Sequence, residues 1–154
     1  EYPPSDGFVK VITDAAWIKE RNRSGVGVVI RDSAGIVCGG LADNLYCCSA
    51  LHAEAEAAVR GLSLAKRKDF SKVMLETDST ILKRSVEGMT NNGAWSILPT
   101  ILEIRRLANS FQSVEWSWIP RSINKRLTQR LVLASERWRK FAGLEGHHRL
   151  FREC

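Results

Sequence analysis

Three runs rich in β-branched residues crowd the first forty positions, and an alanine-rich stretch at helical spacing follows them. The runs are Phe8 to Thr13, Val26 to Ile30 and Ile36 to Leu41. The last two flank Arg31-Asp32-Ser33-Ala34-Gly35, a polar loop closing on glycine, which predicts a hairpin. Ile18 to Ser24 is short and charged, and is expected as a solvent loop joining antiparallel strands. After Asn44 the period changes. Leu51, Ala55, Ala58, Leu62 and Ala65 recur at three- and four-residue steps, which predicts a helix over Ser49 to Lys68.

The rest of the chain alternates. Val73-Met74-Leu75 predicts a short buried strand, Ser79 to Val86 a helix, and Gly88 to Gly93 a break. Ile97, Ile101, Ile104 and Leu107 predict another helix, with Pro99 tolerated in its first turn. Ser113 to Ile119 predicts a last strand with Val114, Trp116 and Trp118 facing the core, stopped by Pro120. A final helix is expected from Lys125 to Phe141, with Leu127, Leu131, Ala134 and Trp138 as its buried stripe. The order βββαβααβα implies an α/β fold, a mixed five-stranded sheet with helices on both faces. Residues 1–7 read as a linker, 8–141 as one domain and 142–154 as a C-terminal tail.

The first strand closes on Asp14, and the fourth, joined to it through a crossover helix, runs into Glu76-Thr77-Asp78. Parallel neighbours joined in this way end on the same edge, which puts Asp14 beside Asp78. Glu54, in the first turns of the long helix, is placed to join them, whereas Glu56 points elsewhere because two residues turn a helix by about 200°. Asp78 also has a competing reading as a cap of the following helix, with Ser79 as the rival cap. Crowded carboxylates repel unless a cation neutralises them. Hard oxygen donors select Mg2+ or Mn2+. Two such ions about 3.5 to 4 Å apart activate water on one side of a phosphodiester and stabilise the leaving oxygen on the other.

The formal charge is +6, and all of the excess lies late in the chain: from Arg121 onward there are nine Lys or Arg against three acids, Glu136, Glu145 and Glu153. A basic C-terminal region suits a polyanion. Arg121, Asn124, Lys125, Arg126 and Arg130 are the candidate nucleic-acid contacts. The cysteines Cys38, Cys47, Cys48 and Cys154 form no C-x-x-C pair and no framework spacing. They are expected as reduced thiols of an intracellular protein of the nucleus or cytoplasm, with no membrane span. Cys154 with His147 and His148 lacks the further ligands of a compact zinc site.

The motifs together resemble a known family, the plant ribonuclease H-like domains related to those of reverse transcriptases. The resemblance runs from about Pro4 to Ala134. It rests on Pro4-x-x-Gly7-x-x-Lys10-x-x-x-Asp14, the hairpin Gly25 to Asp32, Ala53-Glu54-Ala55-Glu56-Ala57 with Gly61-Leu62, Leu75-Glu76-Thr77-Asp78, and Ile119-Pro120-Arg121-Ser122-Ile123-Asn124. It implies a ribonuclease H-like fold and a two-metal nuclease acting on the RNA strand of an RNA/DNA hybrid, with RNA itself as a further partner. Asp14, Glu54 and Asp78 are then the implied metal ligands and catalytic residues, and the linker-like entry at Pro3-Pro4 is expected to join the domain to a larger polypeptide. Three positions depart from the pattern. Thr128 stands where the family carries its fourth acid, Trp118 where a histidine is often found, and Ala15 where glycine usually follows the first Asp. The resemblance therefore implies an incomplete site of impaired activity or, alternatively, an inactive module that binds nucleic acid or protein.

Overall fold

The computed structural model describes residues 4–5, 7–88, 94–124 and 149–151. Strands β1 (Val9–Ile18), β2 (Arg23–Arg31) and β3 (Val37–Tyr46) form the expected antiparallel meander. The β1–β2 connection is tighter than its charge pattern implied. It is a single 3-10 turn over Lys19–Arg21, closed by Asn22 in the left-handed region at φ 47°, a conformation that asparagine tolerates better than most residues.

Helix α1 (Ala50–Arg67) then crosses to β4 (Lys72–Thr77), which lies parallel to β1. Helix α2 (Thr80–Val86) and helix α3 (Leu98–Ala108) lead to β5 (Ser113–Trp118), parallel to β4. Residues 149–151, read from sequence as part of a tail, supply a further strand, β6 (Arg149–Phe151), antiparallel to β3. The five expected strands are thus all present in a mixed sheet of order β5-β4-β1-β2-β3-β6. Residues 121–124, just before the expected final helix, have helical backbone. The expected helix itself, 125–141, lies outside the described residues.

One sheet face carries Val9, Val11, Val28, Ile30, Val73 and Leu75, and these pack with Leu62, Leu82, Ile101 and Ile104 in a single core. Gly61 lets α1 come close to the sheet: a Cβ there would lie 2.8 Å from Val11 Cγ1 and 3.1 Å from Thr13 Cγ2. That close approach seats α1 on β1 at Val11 and Thr13, next to Asp14. The opposite face buries Ile12 and an ion pair between Lys10 and Glu76 at 2.9 Å, with side-chain exposures of 4% and 6%. Among the described residues, no helix is long and apolar enough to cross a membrane.

Candidate metal centre

Asp14 lies in the middle of β1 rather than at its end, opposite Gly27 of β2. The sequence signal for a strand end was a different boundary. The parallel ladder between β1 and β4 ends at Ile12 and Glu76, so β1 continues past its neighbour with β2 as partner. Asp14 therefore lies just past the point where β4 parts from β1 and runs on through Thr77 to Asp78. Ser79, not Asp78, caps α2: its Oγ accepts from Leu82 N–H at 3.1 Å. The Asp78 carboxylate is thereby left for another role.

Asp14, Glu54 and Asp78 each offer a carboxylate oxygen, and the three oxygens lie within 4.8 Å of one another. Glu54 is 6% exposed, and its Oε2 and Asp78 Oδ2 are buried without a hydrogen bond. Burial first, and then the negative charges of Asp78 and Asp14, push the Glu54 carboxyl up to about 8. Three acids from β1, α1 and the end of β4 thus form an oxygen-lined cluster, in which Arg121 and a hydrogen bond from the Ala15 backbone only partly offset the rise at Glu54. Buried carboxylate oxygens without hydrogen-bond donors are the donor set a hard divalent cation takes, so the residues present fit magnesium or manganese.

Neighbouring groups fix the backbone that carries these acids. Thr13 Oγ1 donates to Glu76 C=O at 3.2 Å, tying β1 to β4 where their ladder ends. Asn124, expected as a nucleic-acid contact, is instead fully buried, and its Nδ2 donates to Thr13 C=O at 2.9 Å. The carbonyl beside Asp14 needs a donor once β4 has turned away, and Asn124 supplies it. Trp118, expected in the core, is 47% exposed. Its indole N–H donates to Asp78 C=O at 3.1 Å, an end-of-strand contact that draws the ring out of the alternating pattern.

Arg121 stands at the mouth of the cluster. Its Nε is 3.6 Å from Asp78 Oδ2, with 66% of its side chain exposed. Lys125, Arg126, Thr128 and Arg130 lie outside the described residues. Asn124 and Trp118 had no signal as site-supporting groups in the sequence, since each acts through a main-chain oxygen far away in the chain.

Similarity to known proteins bears on the family and the fold. The sequence pattern of the family described as reverse transcriptase-like matches residues 12–129. An Arabidopsis thaliana protein that bears a ribonuclease H name is 34% identical over 113 residues, which are 73% of this chain and 17% of that protein. The chain therefore spans less than a fifth of the length of that curated relative. Ribonuclease H1 of the halophilic archaeon Halobacterium salinarum superposes with a TM-score of 0.72 at 21% identity, covering 77% of this chain and 90% of the other. LC11 ribonuclease H1, solved in complex with an RNA/DNA hybrid, does so with a TM-score of 0.67 at 22% identity, covering 77% and 89%. At these identities the structural likeness concerns the fold. The family match spans most of the sequence, and on that ground the chain belongs to the reverse transcriptase-like family, as a ribonuclease H-like domain.

Proposed function

We propose that this domain hydrolyses the RNA strand of an RNA/DNA hybrid, at a rate reduced by the neutral hydroxyl of Thr128 at the fourth acidic position. The observation that carries the reading is the convergence of Asp14, Glu54 and Asp78, with buried oxygens on Glu54 and Asp78 that accept no hydrogen bond. These three residues would hold Mg2+ or Mn2+, and a cation bound there supplies Lewis acidity to a phosphodiester and makes water easier to deprotonate. The chain's own groups do the remaining work. Glu54 must give up its proton before it can bind a cation, so loading of the site releases a proton. Thr13, Asn124 and Trp118 hold the Asp14 and Asp78 backbones in place. Arg121, with its side chain largely exposed beside Asp78, suits a phosphate oxygen, and the Lys125, Arg126 and Arg130 side chains add positive charge from the same part of the sequence. Recognition of a hybrid by such groups works through backbone shape and 2′-hydroxyls, with little sequence preference.

A second reading has its own support. Arg121 already brings a protein cation to Asp78, as a domain that binds nucleic acid without cutting it would tolerate. Cleavage of a labelled RNA/DNA hybrid with magnesium or manganese separates the two, using the wild type, Asp14→Asn and Thr128→Asp. Slow wild-type cleavage that vanishes in Asp14→Asn and rises in Thr128→Asp supports the nuclease. Absence of wild-type cleavage with recovery in Thr128→Asp supports a binding module with a decayed site. Loss of hybrid binding at low salt would overturn both.

A further inference from the structure

On the outer side of α1, away from the three acids, Cys48, His52 and Glu56 follow one another at four-residue steps. Cys48 is exposed and immediately precedes Ser49, the residue that caps α1. Its Sγ lies 3.3 Å from His52 Nδ1. The Cys48 backbone N–H also donates to Nδ1, at 3.2 Å, so Nδ1 is the nitrogen with the lone pair and the ring proton sits on Nε2. Nε2 faces Glu56 Oε1 at 3.4 Å, and the same oxygen accepts from Thr100 Oγ1 of α3 at 3.2 Å. A thiol, an imidazole acceptor, a carboxylate and a hydroxyl thus form a continuous chain. Nucleophile and base within hydrogen-bond reach, with the base oriented by a third group, is the arrangement that activates a side-chain nucleophile.

We infer that Cys48 is a reactive thiol that undergoes exchange with low-molecular-weight disulfides, with His52 as its proton acceptor and Glu56 as the residue that positions His52. In this exchange the Cys48 S–H proton passes to His52 Nδ1 and the thiolate attacks one sulfur of the disulfide. The disulfide bond breaks as the new Cys48 S–S bond forms. The departing thiolate takes the proton from His52, so one disulfide and one thiol are consumed and one of each is produced. No oxidant beyond the disulfide is needed.

The surroundings favour this thiol over its neighbours. Cys47 is buried, and burial followed by the charges of Glu56 and Cys48 pushes its thiol up, which keeps it protonated. Cys38 is also buried. The loop that presents Cys48 is pinned on both sides of Cys47, whose N–H donates to Asn22 C=O at 2.9 Å and whose C=O accepts from Trp17 Nε1 at 3.0 Å. The hydrogen-bonded His52 is seated by its own N–H, which donates to Ser49 Oγ at 3.0 Å. The Cys48 sulfur and the imidazole therefore meet on a rigid helix start, and not on a wandering loop.

The test is the rate of mixed-disulfide formation at each cysteine of the full chain with oxidised glutathione, read by peptide mass mapping. Exposure alone would favour Cys48 over the buried thiols, so the deciding comparison is His52→Ala, which leaves the sulfur in solvent. Cys48 is expected to react about a hundredfold more slowly in His52→Ala, the low end of what a positioned base supplies, and added imidazole is expected to restore the rate. Glu56→Gln, which keeps an oxygen acceptor but loses the charge, should slow the same reaction by a smaller factor and should leave the imidazole-rescued rate of the His52→Ala background unchanged. An unaltered Cys48 rate in folded His52→Ala overturns the inference, and so does a slowing that imidazole fails to restore. Should His52→Ala not fold, His52→Asn takes its place, with an unaltered rate again overturning the inference.

Discussion

Glu54 and Glu56 stand two residues apart on α1, yet the helix turns them into opposite environments. Glu54 faces inward, 6% exposed, toward two other carboxylates, and one of its oxygens has no hydrogen-bond donor. Glu56 is half-buried on the outer side and meets His52 and Thr100. Two identical side chains differ here only in what surrounds them. On the inner side repulsion and desolvation accumulate, which primes the cluster for a cation. On the outer side a donor answers the acid, and its charge serves to orient an imidazole.

The strongest test of this contrast is to neutralise each acid in turn. Removing a group that merely supports a metal ligand costs about 10- to 100-fold in affinity or activity, and Glu54→Gln removes a proposed ligand itself. It is expected to lower magnesium-dependent cleavage of a hybrid by more than about 100-fold, whereas Glu56→Gln should stay within about twofold, as half-exposed positions outside a site usually do. Equal losses in the two variants would break the comparison.

Stability against pH probes the same difference without any substrate. The Glu54 carboxyl is raised from 4.5 to about 8 in the folded, metal-free protein. Between those values the folded state holds a proton that the unfolded state has lost. The contribution to stability is therefore fully present below about 4.5 and disappears as pH rises through about 8. At about 1.4 kcal/mol per pKa unit, even half of that displacement is worth about 2 kcal/mol. Urea unfolding in the presence of chelator should show the wild type losing stability from pH 5 to pH 8, while Glu54→Gln, which resembles the protonated acid, loses much less. A saturating divalent cation should flatten or reverse the wild-type trend, because it binds the deprotonated form.

How far this contrast could be foreseen depended on the range of the contacts involved. Asp14, Glu54 and Asp78 were legible because Asp14 closes a β-branched run, Glu54 falls in the first turns of α1 and Asp78 follows β4, and a parallel crossover brings these positions together. The strands and helices followed from β-branched runs and alanine-rich periodicity for the same local reason. The full length of β1 was hidden, since Ala15, Ala16 and Trp17 are not a β-branched run and their pairing with Val26, Gly25 and Ser24 is decided by the partner strand. Asn124 looked like a surface polar group, and only contact with Thr13, 111 residues away, reveals that it is buried. Trp118 looked like core because alternation says nothing about where a strand stops. The three residues of β6 are too few to carry a period at all. Cys48, His52 and Glu56 do share a four-residue spacing, but Cys48 precedes the helix, and only the structure shows its sulfur turned onto His52.

Gly61 offers a smaller and more geometrical perturbation. It lies two turns after Glu54 on the helix surface nearest β1, where a Cβ would meet Val11 and Thr13. Gly61→Ala gains about 1 kcal/mol in helix propensity and loses about 1 to 3 kcal/mol to overpacking. A net destabilisation of about 1 kcal/mol is expected in urea unfolding, together with weaker metal binding as α1 is displaced from β1. The outer triad moves with the helix as a unit, so the rate of Cys48 exchange should change little. A variant that weakened both sites equally would show that the two sides of α1 are not independent.

Arg121→Ala should have the smallest effect on stability and is the most informative about the mouth of the inner cluster. An ion pair with an arginine whose side chain is 66% exposed is worth about 0 to 1 kcal/mol, so the unfolding midpoint should hardly move. Hybrid binding is the sensitive readout, because each phosphate contact contributes close to one unit to the slope of log affinity against log salt. If Arg121 leaves Asp78 for a phosphate, its removal lowers that slope by about one and weakens binding across all hybrid sequences alike. If instead Arg121 remains on Asp78 in the complex, the slope stays the same while divalent-cation affinity rises, since a competing positive charge has been taken from the acids. The two outcomes exclude each other in a single pair of titrations, and the first is expected because the Arg121 side chain is largely exposed and its contact with Asp78 is longer than a hydrogen bond.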